Sequence, residues 1–275
     1  MNASDRYLHN SDALPVMPET AAQLMRTLER DDTSMTEVAA LIERDPSLAV
    51  KVLRVANSAG VGAQREVASL RDAANLIGMR RLRDLSMAAC VANIFPTDGT
   101  FDRERFWRHG LATAGHAKVL AGLCNINPDT AYLAGLVMRI GRVLMLMVEP
   151  EIVSRCDDLN DSPDSLIGHE FEWLGCSHLE VSAALAKRWH FPTEIVDALV
   201  AARDPLGTLP FSALGAVLRL ASTLADAGDL QLVEVDTLMA THPELIARLE
   251  LSVDDLKEHL KPWDSLTQGV DQLVS

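Results

Sequence analysis

The chain has 275 residues and a mass of 30.0 kDa, enough for one large domain or two modest ones with a sizeable core, so no disulfide scaffold is needed. Hydrophobic residues make up 48%, charged residues 23% and aromatic residues 4%. This excludes a disordered or fibrous chain and leaves aliphatic side chains to fill the core. The formal charge of −14 is uneven: residues 1–110 carry 14 basic against 15 acidic groups, a net of −1, and residues 111–275 carry 11 against 24, a net of −13, an acidic half that repels phosphate backbones and disfavours nucleic acid as a partner.

Helical punctuation recurs along the chain and strand signals hardly occur. Pro18 opens a segment with Ala21, Leu24, Met25 and Leu28 at helical spacing. Ser34 and Glu37 read as a capping box before Val38, Leu41 and Ile42. Asp45-Pro46 is an N-cap followed by a proline at the first helical position, and Leu48, Val52 and Val55 form the buried stripe behind it. Ser69 and Asp72 cap a helix that Gly78 ends, and a longer one follows from about Met79 to Ile94. Thr97 to Thr100, around Asp98-Gly99, is the linker candidate.

Asp102 to Leu123 then reads as one long helix, and Asn127-Pro128 starts another that runs to about Met147 with a break at Gly141. Ser162-Pro163, Ser177 with Glu180, Pro192, Phe211 to Ala227, and Ser252 with Asp255 signal further helices. The expected fold is all-α: roughly a dozen helices in two lobes, residues 14–95 and 101–227, with a helical extension over 228–275.

Chemistry is not announced by spacing. The eight histidines include no H-x-x-x-H pair, and His109 and His116 are two turns apart, about 10 Å of rise, too far for one ion. Neither a G-x-S-x-G elbow nor a phosphate loop of the G-x-x-x-x-G-K type is present. Cys90, Cys124, Cys156 and Cys176 form no C-x-x-C pair, which favours reduced thiols and a cytoplasmic setting. The N-terminus, with Asp5 and Asp12, does not read as a signal peptide, and Val143 to Val148 reads as the longest apolar run, too short to span a membrane. Arg80, Arg81 and Arg83 follow Gly78 as a recognition helix would, but Asp84 stands where such a motif needs an apolar residue. A solvated basic face, or an intramolecular partner for the acidic lobe, is expected instead.

The string DPSLAVKVLRVANSAG from Asp45, then Val67-Ala-Ser-Leu70 and Leu76-Ile-Gly78, resembles the signature of HDOD domains, all-helical bacterial regulatory domains related to the HD phosphohydrolases. The resemblance covers about Leu14 to Ala227. It implies an HD-like helical bundle in the second lobe and a pocket that in the wider superfamily holds divalent metal through a first His, a His-Asp doublet and a later Asp. By the resemblance, His109 stands at the first His, His178 at a further His and Asp226 at the final Asp, while Met138 and Arg139 replace the doublet and Ala202 and Arg203 replace a later pair.

A thioether is a poor ligand for water-activating ions and a guanidinium cannot bind a cation at all. The resemblance therefore implies a non-catalytic signalling module without cofactor or metal, acting on a protein partner or a phosphate-bearing or nucleotide ligand and not at a membrane. The alternative is a metal-dependent phosphohydrolase whose site is rebuilt by other carboxylates such as Glu170 or Glu180. Arg139 and Arg203 are expected either to hold an anion, with His109 and His178 adding donors, or to close a salt bridge on Asp226. The near-neutral first lobe, through Lys51, Arg54, Asn57, Ser58, Arg80, Arg81 and Arg83, is the expected interaction surface.

Overall fold

In a computed structural model, residues 3–9, 16–28, 33–57, 69–92 and 102–274 are described. Among them every regular element is a helix. The described residues fall into two compact units, one built from residues 1–14 and 109–266 and the other from 15–108 and 267–275.

In the smaller unit, α2 (Glu19–Leu28), α3 (Met35–Glu43), α4 (Pro46–Ala56), α5 (Leu70–Ile77) and α6 (Met79–Ala92) pack around Leu24, Ile42, Leu48, Leu82 and Met87. Their starts follow the expected caps: Ser34 accepts from the Glu37 amide, Asp45 from those of Ser47 and Leu48, and Ser69 from that of Asp72. Gly78 ends α5 at φ 83°, where a side chain would be strained. Arg54, Arg80 and Arg81 are exposed, and Lys51 and Asn57 are half-buried. Arg83 corrects the sequence reading. Only 8% exposed, it turns inward and donates to the Thr27 carbonyl at 3.3 Å, so it belongs to the core. Asn57 is the C-cap of α4; Ser58 and the linker Thr97–Thr100 lie outside the described residues.

The larger unit holds α1 (Asp5–His9), most of α7 (Arg103–Leu123), α8 (Pro128–Val137), α9 (Ile140–Val148), α10 (Pro150–Asp158), α11 (Leu166–Leu174), α12 (His178–Arg188), α13 (Thr193–Ala201), α14 (Ala213–Asp229), α15 (Glu234–Thr241), α16 (Pro243–Arg248) and α17 (Val253–His259). Helix α12 lies between α9 and α13, and α13 leads to α14. The apolar stretch Pro128–Val148 is longer than Val143–Val148, with a window of mean hydropathy 1.7, but 78% of that window is buried in the protein.

The stretch is also two helices. The break falls at Met138–Arg139 rather than at the expected Gly141, and Ser182 of α12 splices it: its hydroxyl donates to the Met138 carbonyl at 2.7 Å and accepts from the Gly141 amide at 2.8 Å. A Cβ on Gly141 would come within 2.5 Å of the Ser182 nitrogen and 2.6 Å of the His178 oxygen, so this glycine serves the close approach of α9 to α12. Ser162-Pro163 opens no helix; α11 starts at Leu166.

Among the described residues, four helices, α7, α12, α14 and α16, end in left-handed residues that are not glycine: Asn125, His190, Gln231 and Glu250, with φ between 56° and 59°. In each case the next residue, Ile126, Phe191, Leu232 or Leu251, donates its amide back to the last helical turn, the Schellman closure. Two segments close the chain: α18 (Trp263–Thr267), and α19 (Val270–Val274), which packs on α4 and α6. The residues expected to form one extension, 228–275, are thus divided between the units after Leu266, and the boundary near residue 100 falls instead inside α7, between Arg108 and His109.

Candidate functional site

Asp226, on α14 and 5% exposed, is the hub of a buried polar cluster in the larger unit. Its Oδ1 receives His109 Nε2 at 3.0 Å and the Arg139 guanidinium at 2.6 Å, and its Oδ2 accepts the Asp164 amide at 3.0 Å. One turn along α7, Thr113 Oγ1 lies 3.2 Å from His109 Nδ1, so the imidazole is fixed at both nitrogens. Burial alone would push the Asp226 carboxyl up; the Arg139 charge, His109 and the Asp164 amide outweigh it and hold the carboxyl well below the ordinary range. The His109 pKa is lowered as well, first by burial and then by the Arg139 charge, which outweigh its contact with Asp226.

His178, at the start of α12, belongs to a second cluster. Its Nδ1 and its backbone amide both reach Glu170 Oε2, at 2.6 and 2.8 Å, while Glu170 Oε1 accepts from Arg142 at 2.6 Å. Burial would raise the Glu170 carboxyl, yet His178 and Arg142 bring it down to about 2. Arg142 also pairs with Asp157 at 2.5 Å.

Arg203 does not join Arg139 on Asp226: it pairs with Glu180 at 3.4 Å and stacks on Phe171. Glu180 itself closes the capping box with Ser177. Met138 and Ala202 are wholly buried, each the C-cap of its helix, α8 and α13. Of the two outcomes foreseen for the arginines, the salt bridge on Asp226 is therefore realised by Arg139 alone.

Asp164 is the residue that sequence reasoning missed. It adopts φ 70° outside any helix end, and besides its amide on Asp226 its Oδ2 takes Arg219 at 2.6 Å and His242 at 3.2 Å. Strain of this kind persists where the surroundings over-determine it. Only the dipeptide Pro163-Asp164 hinted at a turn there.

A divalent ion does not fit this donor set. Each oxygen of Asp226 is engaged by N–H donors, one of them a permanent cation within 2.6 Å, and His109 Nε2 is spent on the same carboxylate. Glu170 is bound to Arg142 and His178 in the same way. Among the described residues no three His, Cys, Asp or Glu side chains gather into a metal-holding group.

The all-helical fold is HD-like, and its buried Asp226 is paired with an arginine. A family profile for the HDOD domain matches residues 14–205, and the chain belongs to that family. It is similar over 98% of both chains to a protein from Shewanella amazonensis SB2B named a candidate phosphohydrolase, with TM-score 0.76 and 25% identity. An HDOD domain protein of unknown function from Geobacter sulfurreducens shares the fold at TM-score 0.71 and 24% identity, over 98% of this chain and 97% of its own. An uncharacterised protein of Treponema pallidum (strain Nichols) is 24% identical over 196 residues, which are 68% of this chain; the match spans 37% of that protein's length.

Proposed function

We propose that this chain is a non-catalytic bacterial signal-transduction module that works in the cytoplasm by binding a protein partner or a small ligand. The observation that carries the reading is the Arg139–Asp226 pair, which sets a guanidinium against the carboxylate that a water-activating ion would need. A neutral methionine and a cation in place of the doublet raise the local charge and oppose a second cation.

The test is metal content after purification without chelator, together with turnover of phosphomonoester and phosphodiester substrates in Mg²⁺, Mn²⁺ and Zn²⁺. The expected result is substoichiometric metal and no turnover. Stoichiometric metal with turnover that His109→Ala abolishes would overturn it and favour the second reading, a phosphohydrolase, which the name of the Shewanella amazonensis neighbour supports.

The partner surface is assigned to the exposed arginines Arg54, Arg80 and Arg81, because they lie in the near-neutral part of an otherwise acidic chain. Arg80→Glu with Arg81→Glu should abolish capture of the partner from native cytoplasm while leaving the melting temperature unchanged. Undiminished capture would remove the assignment.

A further inference from the structure

In the larger unit, a cavity of about 390 Å³ opens between the segment after α13, the middle of α14 and the junction of α15 with α16. Its volume is in the range of small-molecule sites. Pro205 and Leu245 give it buried apolar walls, and Arg203, Arg219 and His242 give it donors.

Arg219 is held rigidly there. It donates to the carbonyls of Ala202 and Arg203 at 3.2 and 3.0 Å and to Asp164 at 2.6 Å, and its buried Nε has no hydrogen-bond partner among the described residues. His242 Nε2 lies 2.9 Å from Thr223 Oγ1 and 3.2 Å from Asp164 Oδ2. Two carboxylates, Asp204 and Glu244, also line the cavity, but both are exposed, and Asp204 Oδ1 already accepts from the Gly207 amide. Water screens these rim charges far more than the half-buried Arg219.

We propose that this cavity binds a small phosphate-bearing molecule, with the phosphate on Arg203, Arg219 and His242 and the rest of the ligand on the Pro205 and Leu245 walls. Paired guanidinium forks suit phosphate oxygens, and a pre-positioned arginine loses little freedom on binding. Asp164 links the cavity to the buried centre, since its side chain faces Arg219 and His242 while its amide holds Asp226. A phosphate that draws on Arg219 competes with Asp164 for it, so occupancy would be felt at Asp226. The proposal goes beyond the non-catalytic reading and does not rest on it: turnover at Asp226 would defeat that reading and leave the binding result standing.

The experiment is thermal unfolding of the full chain with inorganic phosphate, AMP or adenosine at constant ionic strength. Phosphate and AMP should raise the melting temperature with concentration, AMP at lower concentration than phosphate, and adenosine should not. The exposed residues keep the test independent of folding: Arg203→Gln should weaken phosphate binding about threefold or more, Glu244→Gln should tighten it about threefold, and Arg80→Gln should leave it unchanged. No shift with phosphate or AMP, an equal response to adenosine, or the same affinity in wild type, Arg203→Gln and Glu244→Gln would overturn the proposal.

Discussion

His116, two turns along α7 from His109, is wholly buried, and neither ring nitrogen has a hydrogen-bond partner among the described residues. Burial, with a smaller push from His109, lowers its pKa to about 3. An unfolded chain would protonate the same ring near 6.5. Between these values the unfolded state holds a proton that the folded state lacks, so stability falls as pH drops, by about 1.4 kcal/mol per pH unit for this one group. Urea unfolding at pH 7, 6 and 5 should show that loss in wild type, and His116→Leu should flatten it without lowering stability at pH 7. An unchanged slope would contradict the assignment. His109 adds to the same trend, since its pKa is also lowered. The carboxylates Asp226 and Glu170, held below their ordinary values, keep their contribution above about pH 4 and lose it only in stronger acid. Residue types at this scale were partly legible in the sequence. The resemblance grouped His109, His178 and Asp226; His109 and Asp226 are in contact, whereas His178 lies in a separate cluster on Glu170. Spacing could not show that His116 is buried, that Glu170 lies under His178, or that Asp164 is left-handed, because each depends on packing between distant segments.

Most helix starts could be read from the chain, because an N-cap is a local device: Asp45-Pro46, Asn127-Pro128 and Ser177 with Glu180 act where they were expected. The break between α8 and α9 could not be read. Glycine suggested Gly141, but the interruption is held by Ser182, which lies 41 residues further along the chain. The Ser182 hydroxyl serves a buried carbonyl and a buried amide at once, so Ser182→Ala strands both, at a cost of about 2–4 kcal/mol. Denaturant unfolding should show a lower midpoint with an unchanged slope. A loss below about 0.5 kcal/mol would mean that the two groups find other partners.

Across the whole molecule the all-α class and a two-part organisation were foreseen, but not the exact division of the chain. A boundary inside a continuous helix leaves no trace in composition: α7 runs through Arg108 and His109 without a proline. The C-terminal residues were read as one extension because the resemblance ends near Ala227. Their destinations differ: α15 packs on α14, while α19 packs on α4 and α6. Membership of unit 15–108 is thus completed by residues 267–275, far along the chain. The four cysteines illustrate the same dependence on context. None is disulfide-bonded, and burial pushes Cys90 up to about 12 and Cys176 up to about 11, which leaves both thiols protonated at neutral pH.

The left-handed helix ends constitute an unused reserve of thermal resistance. His190, Gln231 and Glu250 are exposed and hold a backbone conformation that glycine adopts without cost. Replacing each by glycine should gain about 0.5–1 kcal/mol after the larger unfolded-state entropy of glycine is counted. Each change should raise the calorimetric melting temperature by roughly 1–4 °C, and the increments should add because the sites belong to different helices. A fall in melting temperature would mean that these side chains do more than tolerate the turn. A rise would mark three surface positions at which the protein can be hardened against heat without touching Asp226 or its partners.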